Sequence, residues 1–288
     1  MKQLHKWKLA RRALPVGEYT LVMGILNITP DSFSDGGQFF DMQTAVARAE
    51  EMIAEGADIL DIGGESTRPG AAPVSVAEEI RRVVSVIEAV ARKIAIPISV
   101  DTTKAEVAHA ALQSGAEIIN DISGLRFDSR LADEAAQARA GLILMHSRGT
   151  PETMHKLEPV AEVLADVITS LHQSIAEAER RGVGRESIVL DPGIGFSKSA
   201  EQNVELLAKL NKLVSEFAEF PILVGTSRKR FIGALLGDVP ADERIHGTMA
   251  TVTAAVLHGA SIVRVHDVHA AVQTVRVADA IKAVTSDK

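Results

Sequence analysis

Eight short apolar runs alternate along the chain with longer stretches that have the periodicity of an amphipathic helix. The predicted strands cover residues 21–27, 58–62, 97–101, 117–121, 142–146, 187–191, 221–225 and 261–266. Because each strand feeds a helix that packs back onto the sheet, neighbouring strands run parallel and are buried on both faces. Eight such units predict an α/β fold, a (β/α)8 TIM barrel that spans residues 21–288 as a single domain. Residues 1–20 precede the first strand and are predicted to form a short N-terminal cap over the bottom of the barrel.

The predicted strands end on polar side chains. These are Asn27, Asp61, Asp101, Asn120, Asp121, His146, Asp191, Thr226, Ser227, Arg264 and His266. In a barrel of this kind the active site lies at the carboxyl ends of the strands, so these side chains are predicted to converge on one rim. Asp101, Asp121 and Asp191 have a second interpretation as N-caps of the following helices, since Asp is favoured there. For any one Asp both interpretations are open, whereas polar ends on all the strands favour a functional site.

The composition narrows the classes of function. The 288 residues include no cysteine, which excludes a thiolate nucleophile and a thiolate metal site and is typical of a cytoplasmic protein. A net charge of −7 argues against nucleic-acid binding, and no apolar run is long enough to predict a membrane span. Glycine-rich loops that carry Arg68, Lys229 and Arg264 favour an anionic, phosphate-bearing ligand. His266 and His269 could ligate a metal, but a polar helix start is the favoured interpretation.

Seven segments, taken in order and at their spacing, resemble the dihydropteroate synthase family. They are MGILNITPDSFSDGG, DIGGESTRPG, SVDTTK, INDISG, DPGIGF, GTSRKRFIG and IVRVHDV. The resemblance implies transfer of a (7,8-dihydropterin-6-yl)methyl group from its diphosphate ester to the amine of 4-aminobenzoate, which yields 7,8-dihydropteroate and diphosphate. Two alternatives stay open. One is a methyltetrahydrofolate-dependent methyl transfer domain, which has no use for a diphosphate site, and the other is a noncatalytic pterin-binding protein.

The resemblance also implies roles for individual residues. The pterin is expected to bind to Asp101, Asn120, Met145, Asp191, Phe196 and Lys229. The diphosphate is expected to lie against Asn27, Arg68, Arg264 and His266, with Mg²⁺ bridging its oxygens and Asn27 as a protein ligand of the metal. The 4-aminobenzoate is expected to contact Phe33, Thr67, Pro69, Phe196 and Ser227. The catalytic residues implied are Asp101, Asp191, Lys229 and Asn27.

The family resemblance further implies a cytoplasmic homodimer whose partners are the two small-molecule substrates. Four positions depart from the usual family pattern, namely Ser147, Arg148, Ser197 and Arg230, and they affect the fine shape of the 4-aminobenzoate end. The polar, glycine-rich segment 31–37 is typical of a lid over the site, although its Phe33 could instead anchor the loop on the barrel.

Overall fold

The computed structural model describes residues 4–28, 38–66, 73–150, 153–154 and 156–286, and within them the chain forms ten β-strands and ten α-helices. The strands are β1 (His5–Lys8), β2 (Ala13–Val16), β3 (Leu21–Asn27), β4 (Ile59–Gly63), β5 (Ile98–Asp101), β6 (Ile118–Asp121), β7 (Gly141–Met145), β8 (Ile188–Asp191), β9 (Leu223–Val224) and β10 (Ile262–Val265). The helices are α1 (Gln38–Ala54), α2 (Val76–Ala91), α3 (Ala105–Ser114), α4 (Arg130–Ala138), α5 (Val163–Arg180), α6 (Ala200–Ala208), α7 (Leu210–Glu216), α8 (Arg230–Leu235), α9 (Ile245–Leu257) and α10 (Val268–Ser286). Short 3₁₀ helices cover Arg185–Ser187 and Ala241–Arg244.

The strands β3 to β10 form one parallel sheet that closes on itself. Its order is β8-β7-β6-β5-β4-β3-β10-β9. Leu190 of β8 pairs with Ile222, directly before β9, and the Leu190 amide donates to Pro221 O at 3.1 Å, so the two sheet edges meet. The predicted TIM barrel is therefore confirmed. Strand β9 is shorter than the predicted 221–225 because Pro221 has no amide hydrogen to donate and the pairing with β8 is a single bridge.

The helices begin and end where local chemistry favours it. Helix α2 starts after Ser75, whose Oγ accepts a hydrogen bond from Glu78 N at 3.3 Å. Helix α6 starts with a reciprocal capping box between Ser199 and Gln202. Helix α3 ends at Gly115, whose φ of +124° suits glycine. Within the described residues, every helix is too short or too polar to cross a lipid bilayer.

The lower half of the barrel interior is filled by apolar side chains from alternate strand positions. They are Leu21, Met23, Ile59, Ile118, Ile143, Val189, Leu223 and Ile262. The antiparallel hairpin of β1 and β2 covers this end, and Trp7 packs into the same cluster, with its Nε1 donating to Ser187 O at 2.9 Å. Gly141 permits the close approach, since a Cβ there would lie 2.7 Å from Leu9 Cδ2. An apolar floor therefore lies below the polar strand ends. The predicted boundary between an N-terminal cap of residues 1–20 and a barrel domain of residues 21–288 stays a prediction.

Replacement of Trp7 tests the role of this floor. Trp7→Ala is expected to lower the free energy of unfolding by about 3–5 kcal/mol, because it empties a fully buried site and removes the bond to Ser187. Chemical denaturation would measure the change, with the exposed Lys6→Ala on the same hairpin as control. A loss similar to that of the control would show that the hairpin is dispensable for barrel stability.

Candidate active site

A polar layer lies directly above the apolar floor because side chains on one face of a strand recur every second residue. Ile59 of the floor is followed on the same face by Asp61, Ile118 by Asn120, and Ile143 by Met145. In the same way Val189 is followed by Asp191, and Ile262 by Arg264. The strand ends thus carry their polar side chains into the barrel mouth.

Arg264 lies at the centre of this layer and bridges two carboxylates. Its Nε donates to Asp61 Oδ2 at 2.6 Å and its Nη2 donates to Asp101 Oδ2 at 2.6 Å. The same Asp61 oxygen accepts from Asn120 Nδ2 at 3.0 Å. The guanidinium therefore lies among the predicted pterin-binding side chains, and its contact with the diphosphate stays a prediction.

None of the three aspartates is the N-cap of the following helix, because these helices begin after Lys104, Ser129 and Ser199. Helix α3 begins after Lys104, and its Ala105 amide donates to Asp128 Oδ2 at 3.0 Å, so Asp101 is not its cap. Asp121 has the structural role, because its carboxylate accepts from the amides of Ser123 at 2.8 Å and Leu125 at 2.5 Å.

Asp191 organises its own loop and also faces the barrel mouth. Its Oδ1 accepts from Gly193 N at 2.7 Å, while helix α6 is capped by Ser199. Asp191 therefore retains acceptor capacity on its second carboxylate oxygen for a ligand.

Lys229 lies against Phe196 at the same mouth. The Lys229 Nζ is 3.7 Å from the centre of the Phe196 ring, a cation–π distance. Gly195, with φ +84°, allows the lysine stem to pack on the loop, since a Cβ there would lie 2.7 Å from Lys229 Cδ. Phe196 also packs with Met145 in a small apolar cluster. Four of the six predicted pterin residues are therefore linked to one another or to Arg264, namely Met145, Phe196, Lys229 and Asp101. Asn120 is joined to Arg264 through Asp61, and Asp191 lies at the strand end beside Met145.

The cluster shifts the proton affinities of its own members. Burial raises the pKa of Asp101 to about 7, against the opposing effect of Arg264. Burial also raises the pKa of Asp191 to about 6. Burial and the nearby Arg264 lower the pKa of Lys229 to about 7, although Asp191 and Asp101 oppose the shift. Three groups that titrate close to neutrality in one cleft are typical of a ligand-binding or catalytic site.

Three other predicted residues, Asn27, Ser227 and His266, lie around this centre. Asn27 ends β3, and a Cβ on the neighbouring Gly63 would lie 3.8 Å from Asn27 Oδ1 and 3.4 Å from Asp101 Cβ. His266 Nδ1 lies 3.0 Å from Ser227 Oγ, and the Ser227 hydroxyl also accepts from His266 N at 3.1 Å. Burial and Arg264 lower the pKa of His266 to about 3, so its imidazole is neutral. Phe33, Thr67, Arg68 and Pro69 lie outside the described residues. The binding roles of all these residues stay predictions.

The residues described here include no group of three or more His, Asp or Glu side chains arranged to hold a metal ion. The available donor is the amide oxygen of Asn27, a hard ligand that suits Mg²⁺. A magnesium ion that kept most of its coordination for water and phosphate oxygens would fit such a sparse site.

Three further groups, the buried Asp61 and His146 and the half-buried Lys198, belong to the site although the sequence assigned them no role. Asp61 anchors both Arg264 and Asn120. Lys198 Nζ lies 2.8 Å from His146 Nδ1. Asp61 and His146 were detectable as polar strand ends, but Lys198 sits on a loop 52 residues from its partner, and no sequence pattern links them.

The fold and this site are those of a pterin-binding enzyme. Residues 23–266 match the family model of pterin binding enzymes, and the chain belongs to that family. It is 50% identical over 265 residues to the dihydropteroate synthase of Synechocystis sp., which covers 92% of this chain and 91% of the relative. A crystal structure of the Xanthomonas albilineans dihydropteroate synthase with 4-aminobenzoic acid superimposes with a TM-score of 0.89, at 44% identity and with coverage of 96% of this chain and 99% of the other. The Burkholderia cenocepacia enzyme complexed with 7,8-dihydropteroate gives a TM-score of 0.87, 41% identity and 99% coverage of both chains.

Pterin affinity is expected to be highest near neutral pH. As the pH falls through about 7 and about 6, Asp101 and Asp191 take up protons and lose acceptors for the pterin donors. As the pH rises through about 7, Lys229 loses the proton that it would donate to the ring. Calorimetric dissociation constants for a pterin, measured from about pH 5 to about pH 9, would test this expectation. An affinity that stays constant over this range would show that these groups do not contact the pterin.

Proposed function

We propose that this chain is a dihydropteroate synthase, which joins the pterinylmethyl group of (7,8-dihydropterin-6-yl)methyl diphosphate to 4-aminobenzoate. The observation that carries the proposal is the set of Asp101, Asn120, Asp191 and Lys229 at the barrel mouth, in a chain that matches synthases over most of its length. The curated relatives and structures described above favour the synthase over a methyl transfer domain or a noncatalytic binder.

The buried polar set suits the edge of a pterin. An aminopyrimidinone ring presents adjacent hydrogen-bond donors and acceptors, and two carboxylates, one amide and one ammonium can pair with them together. Asn120 Nδ2 is already engaged by Asp61, so the amide is held in one orientation and its oxygen is available to a ligand donor. A ring with the wrong pattern would leave buried groups without partners, which gives strong discrimination.

The chemistry requires departure of diphosphate and attack by an amine. The bond between the exocyclic carbon and the diphosphate oxygen breaks with its electron pair on the diphosphate, and the 4-aminobenzoate nitrogen forms the new bond and loses a proton to solvent. Asp101 and Asp191 favour positive charge that develops on the pterinylmethyl group, because both are carboxylates at the barrel mouth. The proposed displacement is therefore cation-like and needs no nucleophilic side chain.

Asp101→Asn tests both the function and the pterin site. The wild-type protein is expected to convert the pterin diphosphate and 4-aminobenzoate to dihydropteroate, detectable by mass. The variant should bind pterin more weakly by about 1.5–3 kcal/mol, because an acceptor in a charge-assisted contact becomes an amide. The exposed Asp242→Asn serves as matched control. Wild-type protein that forms no dihydropteroate would contradict the function, and unchanged pterin affinity in Asp101→Asn would remove Asp101 from the pterin site.

Magnesium is part of this proposal. Asn27 would hold the ion at the end of β3, beside Gly63 of the neighbouring strand. When bound, the ion would neutralise negative charge on the diphosphate oxygens. The neutral His266, together with Arg68 and Arg264, would supply the remaining contacts to the diphosphate.

Removal of divalent cations is expected to weaken binding of the pterin diphosphate by at least about tenfold and to leave binding of the unphosphorylated pterin unchanged. Calorimetry with and without EDTA would measure both constants. Asn27→Ala should reproduce the loss in the presence of Mg²⁺, whereas the exposed Asn211→Ala should not. Equal losses for the two ligands would place Asn27 in the pterin pocket.

A homodimer is proposed from an apolar stripe on α10. Val277, Ile281 and Val284 are 63%, 50% and 68% exposed and lie at positions i, i+4 and i+7 of one helix face. Leu257 at the end of the adjacent helix α9 is 40% exposed. Exposed apolar side chains at helical spacing are typical of a subunit interface, and a two-fold axis would bury the same stripe of both copies.

Ile281→Glu is expected to convert the dimer to a monomer, because it places a charge in the apolar contact. Light scattering after gel filtration would report the mass. Val204→Glu, a change of the same kind on α6 where the side chain is 42% exposed, should remain dimeric. A wild-type monomer at micromolar concentration would contradict the proposed assembly.

The cytoplasm is the proposed location. The substrate carries a charged diphosphate, which does not cross a lipid bilayer unaided, so the enzyme and the source of its substrate share a compartment. Cell fractionation with an antibody against the chain would test this.

A further inference from the structure

Lys198 is a half-buried lysine with three acceptors and no part in the mechanism above. Its Nζ lies 2.8 Å from His146 Nδ1 and donates to Gly193 O at 2.9 Å and to Phe196 O at 3.1 Å. Three acceptors match the three hydrogens of an ammonium group. Burial lowers the pKa of His146 to about 2, which leaves a neutral imidazole whose Nδ1 can accept.

The two carbonyl acceptors belong to one tight turn. Phe196 N donates to Gly193 O at 3.1 Å, so the ammonium and the turn share the same carbonyl. Gly193 has a φ of +66°, and a Cβ there would lie 1.8 Å from His146 O, so only glycine lets this backbone approach the end of β7. Lys198 thus connects the 193–196 turn to the end of a barrel strand.

The turn carries the wall of the Lys229 site. Phe196 is 8% exposed, and its ring lies 3.7 Å from Lys229 Nζ. Gly195 of the same turn lies against the Lys229 stem. Any displacement of the turn would therefore move the ring away from the Lys229 ammonium and admit water to it.

His146 is itself held on its other side. Its Nε2 lies 3.2 Å from Asp166 Oδ2, and the His146 side chain is 1% exposed. With Nδ1 accepting from Lys198, the ring hydrogen resides on Nε2. The anchor of the turn is therefore a buried side chain with neighbours at both ring nitrogens.

We propose that Lys198 is a positioning residue that holds the 193–196 turn on His146, so that Phe196 stays over Lys229 and the pterin site keeps its shape. The inference rests on the proposed role of Lys229 and Phe196 in pterin binding. Lys198 acts on the ligand through Phe196 and does not touch it. The prediction that follows is energetic coupling between Lys198 and Phe196.

A double-mutant cycle in the full-length protein tests this coupling. Lys198→Met keeps the aliphatic stem and removes the three contacts, and it is expected to weaken pterin binding about tenfold, measured by calorimetry. In a Phe196→Leu background the same substitution should weaken binding by less than about twofold, since the ring that Lys198 positions is already absent. KM for the pterin diphosphate should rise more than kcat falls.

Lys212→Met is the matched control, because it makes the same substitution at an exposed lysine on α7. Its pterin affinity should stay within about twofold of wild type. Should Lys198→Met fail to fold, judged by its melting temperature, Lys198→Gln takes its place in the cycle. Additive losses, or a Lys198 variant with wild-type affinity, would overturn the proposal while the wild-type turnover still supports the synthase function.

Discussion

The ion pairs that Arg264 makes with Asp61 and Asp101 are the interaction on which the site depends. Asp61 is fully buried, and a buried carboxylate is costly unless a cation and hydrogen bonds accompany it. Arg264 supplies that cation with two contacts of 2.6 Å, and Asn120 adds a third donor. Removal of Arg264 alone would leave the Asp61 and Asp101 carboxylates facing each other without a cation. The loss of this one side chain is therefore expected to disrupt the arrangement of all three.

The rest of the barrel supports this arrangement. The apolar floor that contains Met23, Ile59 and Ile143 lies beneath the polar layer, and the hairpin with Trp7 closes it from below. Low polarity around the charges strengthens their mutual attraction and shifts the pKa values of Asp101 and Lys229 toward neutrality. The protein therefore holds a set of groups at the barrel mouth that a pterin can pair with at cellular pH.

The fold could be predicted from the sequence because the spacing of apolar residues differs between strands and helices. The chain alternates between these two spacings in eight consecutive strand–helix units. The rim was predictable for a related reason, since every strand ends on polar side chains that a closed barrel must bring together. The sequence could not separate Asp121, which organises its own turn, from Asp101, which pairs with Arg264 across the barrel. Side-chain contacts between residues 163 apart depend on the closed sheet and leave no local pattern.

The departures from the family pattern have a partial structural explanation. Ser197 has a φ of +50°, a region that favours glycine, and its Oγ accepts from Arg148 N at 2.9 Å and donates to Phe196 O at 2.8 Å. Ser147 Oγ accepts from Arg126 at 2.8 Å and donates to Ile122 O at 2.8 Å. These contacts lie beside Phe196, between the β7 and β8 loops. Nothing in the structure explains the exposed Arg230.

A crystal structure of this chain with a pterin diphosphate bound would show directly whether the polar strand ends form the pterin site. The pterin ring is expected to lie in the barrel mouth within hydrogen-bond distance of Asp101, Asn120, Asp191 and Lys229, with Arg264 retained beside Asp61. A ring bound elsewhere, with Arg264 still bridging Asp61 and Asp101 as in the free protein, would contradict this expectation.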